Sequence, residues 1–137
     1  IPDASGGSKD VVGLFNHDNF ARSLPETKII LTADLINNRH SFSLLGRYTS
    51  DYKTTRVLSS SATSLGYNQN IDEWLSIDSK YNYSFGFNEN QMRFSFGIKN
   101  IFDEDAPQVY DAANFSYDPR QHDPRGRLTY IGLKLLR

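Results

Sequence analysis

Alternation of apolar and polar residues over five segments, each roughly ten residues long, is the feature that most narrows what this chain can become. Successive side chains of a strand point to opposite faces, so strict alternation makes one face oily and the other wet. The best-formed segment sets Met92, Phe94, Phe96 and Ile98 against Arg93, Ser95, Gly97 and Lys99. A tilted strand of that length crosses the hydrocarbon core of a bilayer, and only helices and closed barrels span one. The pattern predicts an all-β chain: an antiparallel up-and-down meander forming part of a transmembrane β-barrel, with lipid on one face and a polar lumen on the other.

Composition is compatible with this and excludes other classes. The chain has 137 residues, enough for one ordinary domain with a core. It holds no apolar run approaching the roughly 18 residues of a membrane helix, and its mean hydropathy is −0.55. Barrels escape that test, because lumen faces and loops dilute the hydropathy. A formal net charge of −1 argues against an electrostatic nucleic-acid binder. Eight Tyr and nine Phe suit interfacial aromatic girdles. Without cysteine there is no disulfide framework, thiolate metal site or cysteine nucleophile. The first residues, IPDASGGSKD, lack the basic and apolar regions of a signal peptide.

The connections alternate in length as regularly as the residues alternate in polarity. Residues 1–25 read as a loop, with at most a short strand near 11–15, and Pro25 opens a first hairpin over 26–52. In it, Ile29, Leu31, Ala33 and Leu35 oppose Lys28, Ile30, Thr32, Asp34 and Ile36; then Phe42, Leu44, Gly46 and Tyr48 oppose Ser43, Leu45, Arg47 and Thr49. Asn37-Asn38-Arg39-His40 joins the two as a tight turn, since Asn tolerates positive φ. A Ser/Thr/Asn-rich loop over 53–72 precedes a second hairpin over 73–102, whose tight turn is Phe87-Asn88-Glu89-Asn90. Its first strand sets Leu75, Ile77, Tyr81, Tyr83 and Phe85 against Ser76, Asp78, Lys80, Asn82 and Ser84. A third long loop, 103–125, leads to a last strand over 126–137, with Ile131, Leu133 and Leu135 opposite Tyr130, Gly132 and Lys134. Short turns at one end and long loops at the other are the layout of outer-membrane barrels, the long loops being extracellular. Five strands fall short of the roughly eight that close a barrel, so the reading expects a fragment of a larger one.

The C-terminal third resembles the end of TonB-dependent outer-membrane receptors. Asn100-Ile101-Phe102-Asp103 is similar to that family's "NLFD" motif after the penultimate strand, and Asp123-Pro124-Arg125-Gly126-Arg127 to the "DPRGR" motif before the last one. Upstream, Ser23-Leu24-Pro25-Glu26-Thr27-Lys28 resembles an "LPxxK" lead-in to a strand, and Arg47-Tyr48 with Tyr52 a "RYxxxY" strand ending. The resemblance implies a barrel of 22 strands in a bacterial outer membrane, importing a scarce ligand such as a siderophore, cobalamin or a glycan. It also implies partners: membrane lipid, an N-terminal plug, the remaining strands, and a TonB-type energy-coupling protein acting through the plug. No cofactor, enzymatic activity or nucleic-acid partner is implied. The plug and its coupling motif do not occur in these 137 residues. The family's usual terminal aromatic is here Arg137, which leads us to expect a boundary short of the natural end.

Candidate residues fall into three sets. Arg47, Asp78, Lys80, Arg93, Lys99 and Lys134 take the predicted lumen face, where they would touch ligand or plug. Asp103, Glu104, Asp105, Asp111, Asp118 and His122 lie in the third long loop as ligand-capture candidates. They lack the Asp-x-Asp-x-Asp-Gly spacing of a calcium loop, and His17, His40 and His122 lack metal-ligand spacing, so no metal site is expected. The motif residues Asn100, Phe102, Asp103, Asp123, Pro124, Arg125, Gly126 and Arg127 form the third set, with Arg125 and Arg127 placed to pair with the acidic run at 103–105. Trp74, Tyr48, Tyr52 and Phe102 are expected in an aromatic belt at the long-loop end, and Tyr83, Phe85 and Phe87 near the other. Two rival readings use the same alternation: a passive porin-like barrel, and a soluble β-sandwich binding module whose apolar face is covered by a second sheet.

Overall fold

The computed structural model describes residues 6–16, 23–87, 90–110 and 116–136. His17, Asp111, Asn114, Arg137 and the Asn88-Glu89 turn lie outside the described residues. Its elements are β1 (Leu14–Phe15), β2 (Ser23–Leu24), β3 (Lys28–Asn37), β4 (His40–Thr49), β5 (Tyr52–Thr54), α1 (Ser60–Ser64), β6 (Asn70–Ile71), β7 (Trp74–Phe87), β8 (Asn90–Lys99) and β9 (Leu128–Leu136). The chain is all-β, as the alternation predicts, and it forms two compact units. One gathers residues 29–48, 75–105 and 125–137; the other gathers 1–28, 49–74 and 106–124.

The first unit is a five-stranded meander in the order β3-β4-β7-β8-β9, with β3 and β9 as open edges. Its register puts Tyr81, Phe96 and Ile131 side by side, then Tyr83, Phe94 and Leu133, then Phe85, Met92 and Leu135. The rows between them read Lys80, Gly97, Tyr130; Asn82, Ser95, Gly132; and Ser84, Arg93, Lys134. The apolar and polar sets therefore occupy opposite faces, and a slip of one residue would exchange them all. Asn38 takes a φ of 53° at the β3–β4 turn, which an Asn accommodates at little cost. Gly97 is required by its neighbour: the ring of Tyr130 lies across it, and a Cβ there would overlap that ring.

On the polar face a ladder of side-chain hydrogen bonds crosses three strands. Ser95 Oγ donates to Asn82 Oδ1 at 2.8 Å, and Asn82 Nδ2 donates to Ser41 Oγ at 3.0 Å. The apolar face holds one such contact, between His40 Nδ1 and the Tyr81 hydroxyl at 2.7 Å, and most of its large side chains are uncovered. Leu31 is 70% exposed, Ile131 71% and Leu133 65%.

The second unit is built from segments that the sequence reads as loops. Its small mixed sheet runs β2-β1-β5-β6, with β1 antiparallel to β2 and parallel to β5, and β5 antiparallel to β6. Phe15, Tyr52, Ile71 and Val109 form its core. The one-turn helix α1 is capped by Ser59, whose Oγ accepts the Ala62 N–H at 3.2 Å. One boundary is corrected here. The second strand ends at Thr49, and Tyr52 starts β5 instead of closing the first hairpin. Tyr52 and Trp74, expected in an aromatic belt, are buried in this unit because their rings pack with His122.

Candidate functional site

All six residues assigned to one face by alternation share the polar face of the meander. Arg47 Nη1 and Asp78 Oδ2 are 2.8 Å apart, pairing β4 with β7. Lys80 and Lys99 line a cleft of about 380 Å³ together with Thr32, Asp34, Ser43, Leu45, Arg47, Asp78 and Tyr130. Asp34 accepts the hydroxyl of Ser43, so both acids of the cleft are engaged. Arg93 and Lys134 stand directly opposite each other on β8 and β9, two like charges in one cross-strand pair. Tyr130, Asp34 and Ser43 were not among the expected candidates. Parity puts them on this face, but only the strand order β3-β4-β7-β8-β9 brings them to one cleft.

The two motifs meet and fasten one another. Asn100, nearly buried and at φ 50°, ends β8; its Nδ2 donates to the Glu104 carbonyl at 2.8 Å and its Oδ1 accepts the Glu104 N–H at 3.0 Å. Its own N–H donates to Asp78 Oδ1 at 3.0 Å, so Asp78 holds Arg47 with one oxygen and the motif turn with the other. Asp103, at φ 60°, accepts the Arg127 N–H at 2.6 Å and lies 3.4 Å from its guanidinium. Arg127 Nη1 donates in turn to the Ile101 carbonyl at 3.3 Å. Gly126 takes φ 63°, and a Cβ there would press on the Asp103 carboxylate at 3.0 Å. The expected pairing of a motif arginine with the acidic run is thus made by Arg127 and Asp103. Phe102, Glu104, Asp105, Pro124 and Arg125 are exposed, and Asp123 is half-buried.

This clasp carries a prediction. The Arg127–Asp103 ion pair is half-exposed, a class contributing about 0–1 kcal/mol, whereas Asp103 also satisfies a backbone N–H. Asp103→Ala is therefore expected to destabilise by about 1–2 kcal/mol and Arg127→Ala by less than about 1 kcal/mol. Urea unfolding midpoints of the two variants in detergent micelles measure the difference; a larger loss for Arg127→Ala would show that the guanidinium, not the peptide contact, holds the turn.

Asp118 and His122 are corrected from exposed loop residues to buried ones, at 1% and 5% exposure. Asp118 Oδ2 accepts the Tyr52 hydroxyl at 2.8 Å, and its Oδ1 accepts the Arg120 N–H at 3.0 Å. Burial, then the Asp118 charge and hydrogen bond, push the Tyr52 hydroxyl well above its ordinary range, so it stays a donor. His122 stacks on Tyr52 with centroids 6.1 Å apart and meets Trp74 edge-on at 5.6 Å. Its ring nitrogens and Trp74 Nε1 have no hydrogen-bond partner among the described residues. Burial lowers the His122 pKa, opposed by Asp118 and assisted by Lys28.

The sign of the resulting pH dependence follows directly. In the unfolded chain His122 takes a proton as pH falls through about 6.5; in the folded chain it resists until a lower pH. Stability is full above about 6.5 and falls as pH drops toward the lowered native value. Trp74, the one tryptophan, reports the packing of this unit by fluorescence. In detergent micelles, urea midpoints should be lower at pH 5.5 than at 7.5, and His122→Phe should flatten the difference. A wild-type profile already flat over that interval would refute the assignment.

Among the described residues, no three His, Asp or Glu side chains come together to hold a metal ion. No helix is long and apolar enough to cross a membrane, which says nothing of strands. No family model, curated protein or solved structure matches the chain.

Proposed function

We propose that this chain is barrel wall from the C-terminal part of a TonB-dependent receptor, serving active import of a scarce ligand across a bacterial outer membrane. The observation that carries the reading is the uncovered apolar face spanning all five strands of the meander, from Leu31 on β3 to Ile131 and Leu133 on β9. Ten residues at about 3.3 Å each reach about 33 Å, and a tilt of about 40° reduces that to about 25 Å, the height of a lipid-facing band. Five strands make that face roughly 700 Å² in extent, beyond the few hundred Å² that a soluble monomer leaves uncovered. The polar opposite face suits a wet lumen, and the mutual fastening of the two motifs supports the resemblance at the end of the chain. Energy would reach such a receptor through its plug and a periplasmic coupling protein, neither of which this chain supplies.

Membrane fractionation of cells producing the native protein tests the reading. It should collect in the outer membrane and run as a heat-modifiable band; recovery as a soluble protein would favour a sandwich module. A plug-encoding segment upstream in the gene separates a receptor from a passive barrel, and its absence would favour the latter.

A further inference from the structure

The polar face of the meander is charged in one sense, although the chain as a whole is slightly acidic. Among the described residues it carries Arg47, Lys80, Arg93, Lys99 and Lys134 against Asp34 and Asp78. Asp78 is committed through both oxygens, to Arg47 and the Asn100 N–H, and Asp34 accepts the Ser43 hydroxyl with one. Lys80 and Lys99 make no ion pair among the described residues, and Arg93 faces Lys134 with no acid between them. Like charges placed directly across a ladder destabilise it unless an anion joins them.

Within this field the cleft of about 380 Å³ has the size of a small-ligand site. Lys80 pairs across the ladder with Gly97, which pairs with Tyr130; Lys99 lies two residues along β8 on the same face. The two lysines are therefore diagonal neighbours, with Cβ atoms roughly 7–8 Å apart. Because a glycine stands between the strands at this level, the Tyr130 ring reaches across β8 and brings its hydroxyl over the same spot. Two ammonium groups and a phenol converge above the glycine, while Asp78 spends both carboxylate oxygens and Asp34 one of its two on neighbouring groups.

We infer that this cleft binds a small multivalent oxyanion, bearing several carboxylate or phosphate groups, with Lys80 and Lys99 as its cationic anchors and Tyr130 as a neutral donor. The inference deepens the receptor reading by naming the charge class of a ligand in the channel, and rests on that reading for how the ligand arrives. Calorimetric titration of the detergent-purified protein at low ionic strength tests it, with citrate, inorganic phosphate and maltose as probes. Citrate or phosphate should bind and maltose should not, with the preference between the first two distinguishing a polycarboxylate from a phosphate ligand. The double variant Lys80→Gln/Lys99→Gln should weaken anion binding at least tenfold and Tyr130→Phe severalfold. Lys80→Arg/Lys99→Arg should retain it, and Lys53→Gln, an exposed cation on β5, should leave it unchanged. A heat-modifiable band in each variant confirms that folding survived. Equal affinity for maltose, or an undiminished affinity in the double glutamine variant, would overturn the site. A membrane-inserted protein that ignores both anions refutes the site alone, whereas a soluble monomer that binds citrate refutes the membrane reading alone.

Discussion

In buffer without detergent, the chain should elute as an aggregate and not as a monodisperse monomer. Two independent features lead there. Strands β3 and β9 leave the backbone donors and acceptors of ten- and nine-residue edges open to pairing with another copy. The apolar face adds Leu31, Leu35, Ile131 and Leu133 as large exposed side chains on those same edge strands, so edge pairing extends an already continuous apolar surface. Light scattering after size exclusion, with and without detergent micelles, measures the outcome. A cooperative, detergent-free monomer would mean that the face is covered in solution, and the barrel reading would fail with it.

The meander was legible because two solvents act on the two sides of one sheet. Wherever Phe94 and Phe96 must share a face while Arg93 and Ser95 share the other, the period of two is written into the residues themselves. The clasp was half legible: opposite charges at 103–105 and 125–127 pointed to each other, but the choice of Arg127, and the larger role of its backbone N–H, needed the positive φ values of Asp103 and Gly126. The second unit was not legible. Its core takes Phe15, Tyr52, Ile71 and Val109 from four separated segments of polar, turn-rich sequence, none long enough to carry a period. Asp118 and His122 misled for the same reason, since a carboxylate among prolines and arginines looks solvated until the Tyr52 hydroxyl is found on it. Aromatics at strand ends were ambiguous, because a girdle and a buried core ask for the same side chains.

Charge placed on the two faces of β8 separates a membrane sheet from a water-exposed one more sharply than any other substitution. Phe96 and Ser95 are adjacent, near the middle of the strand, and point to opposite faces. In water, Phe96→Arg is a mild change, because the ring is already 38% exposed and a long side chain has room. Against lipid near the midplane it should cost about 2–4 kcal/mol, and Leu133→Arg, its diagonal neighbour on β9, should behave alike. Ser95→Arg loses the hydrogen bond to Asn82, worth about 0.5–1.5 kcal/mol, but its guanidinium reaches the polar side. Heat-modifiable gel mobility of the native protein in outer-membrane preparations reads the folded fraction. The expected order is a severe loss of folded band for Phe96→Arg and Leu133→Arg and a slight one for Ser95→Arg. Equal losses on both faces would show that water, not lipid, bathes the apolar side, and would return the chain to the soluble sandwich reading.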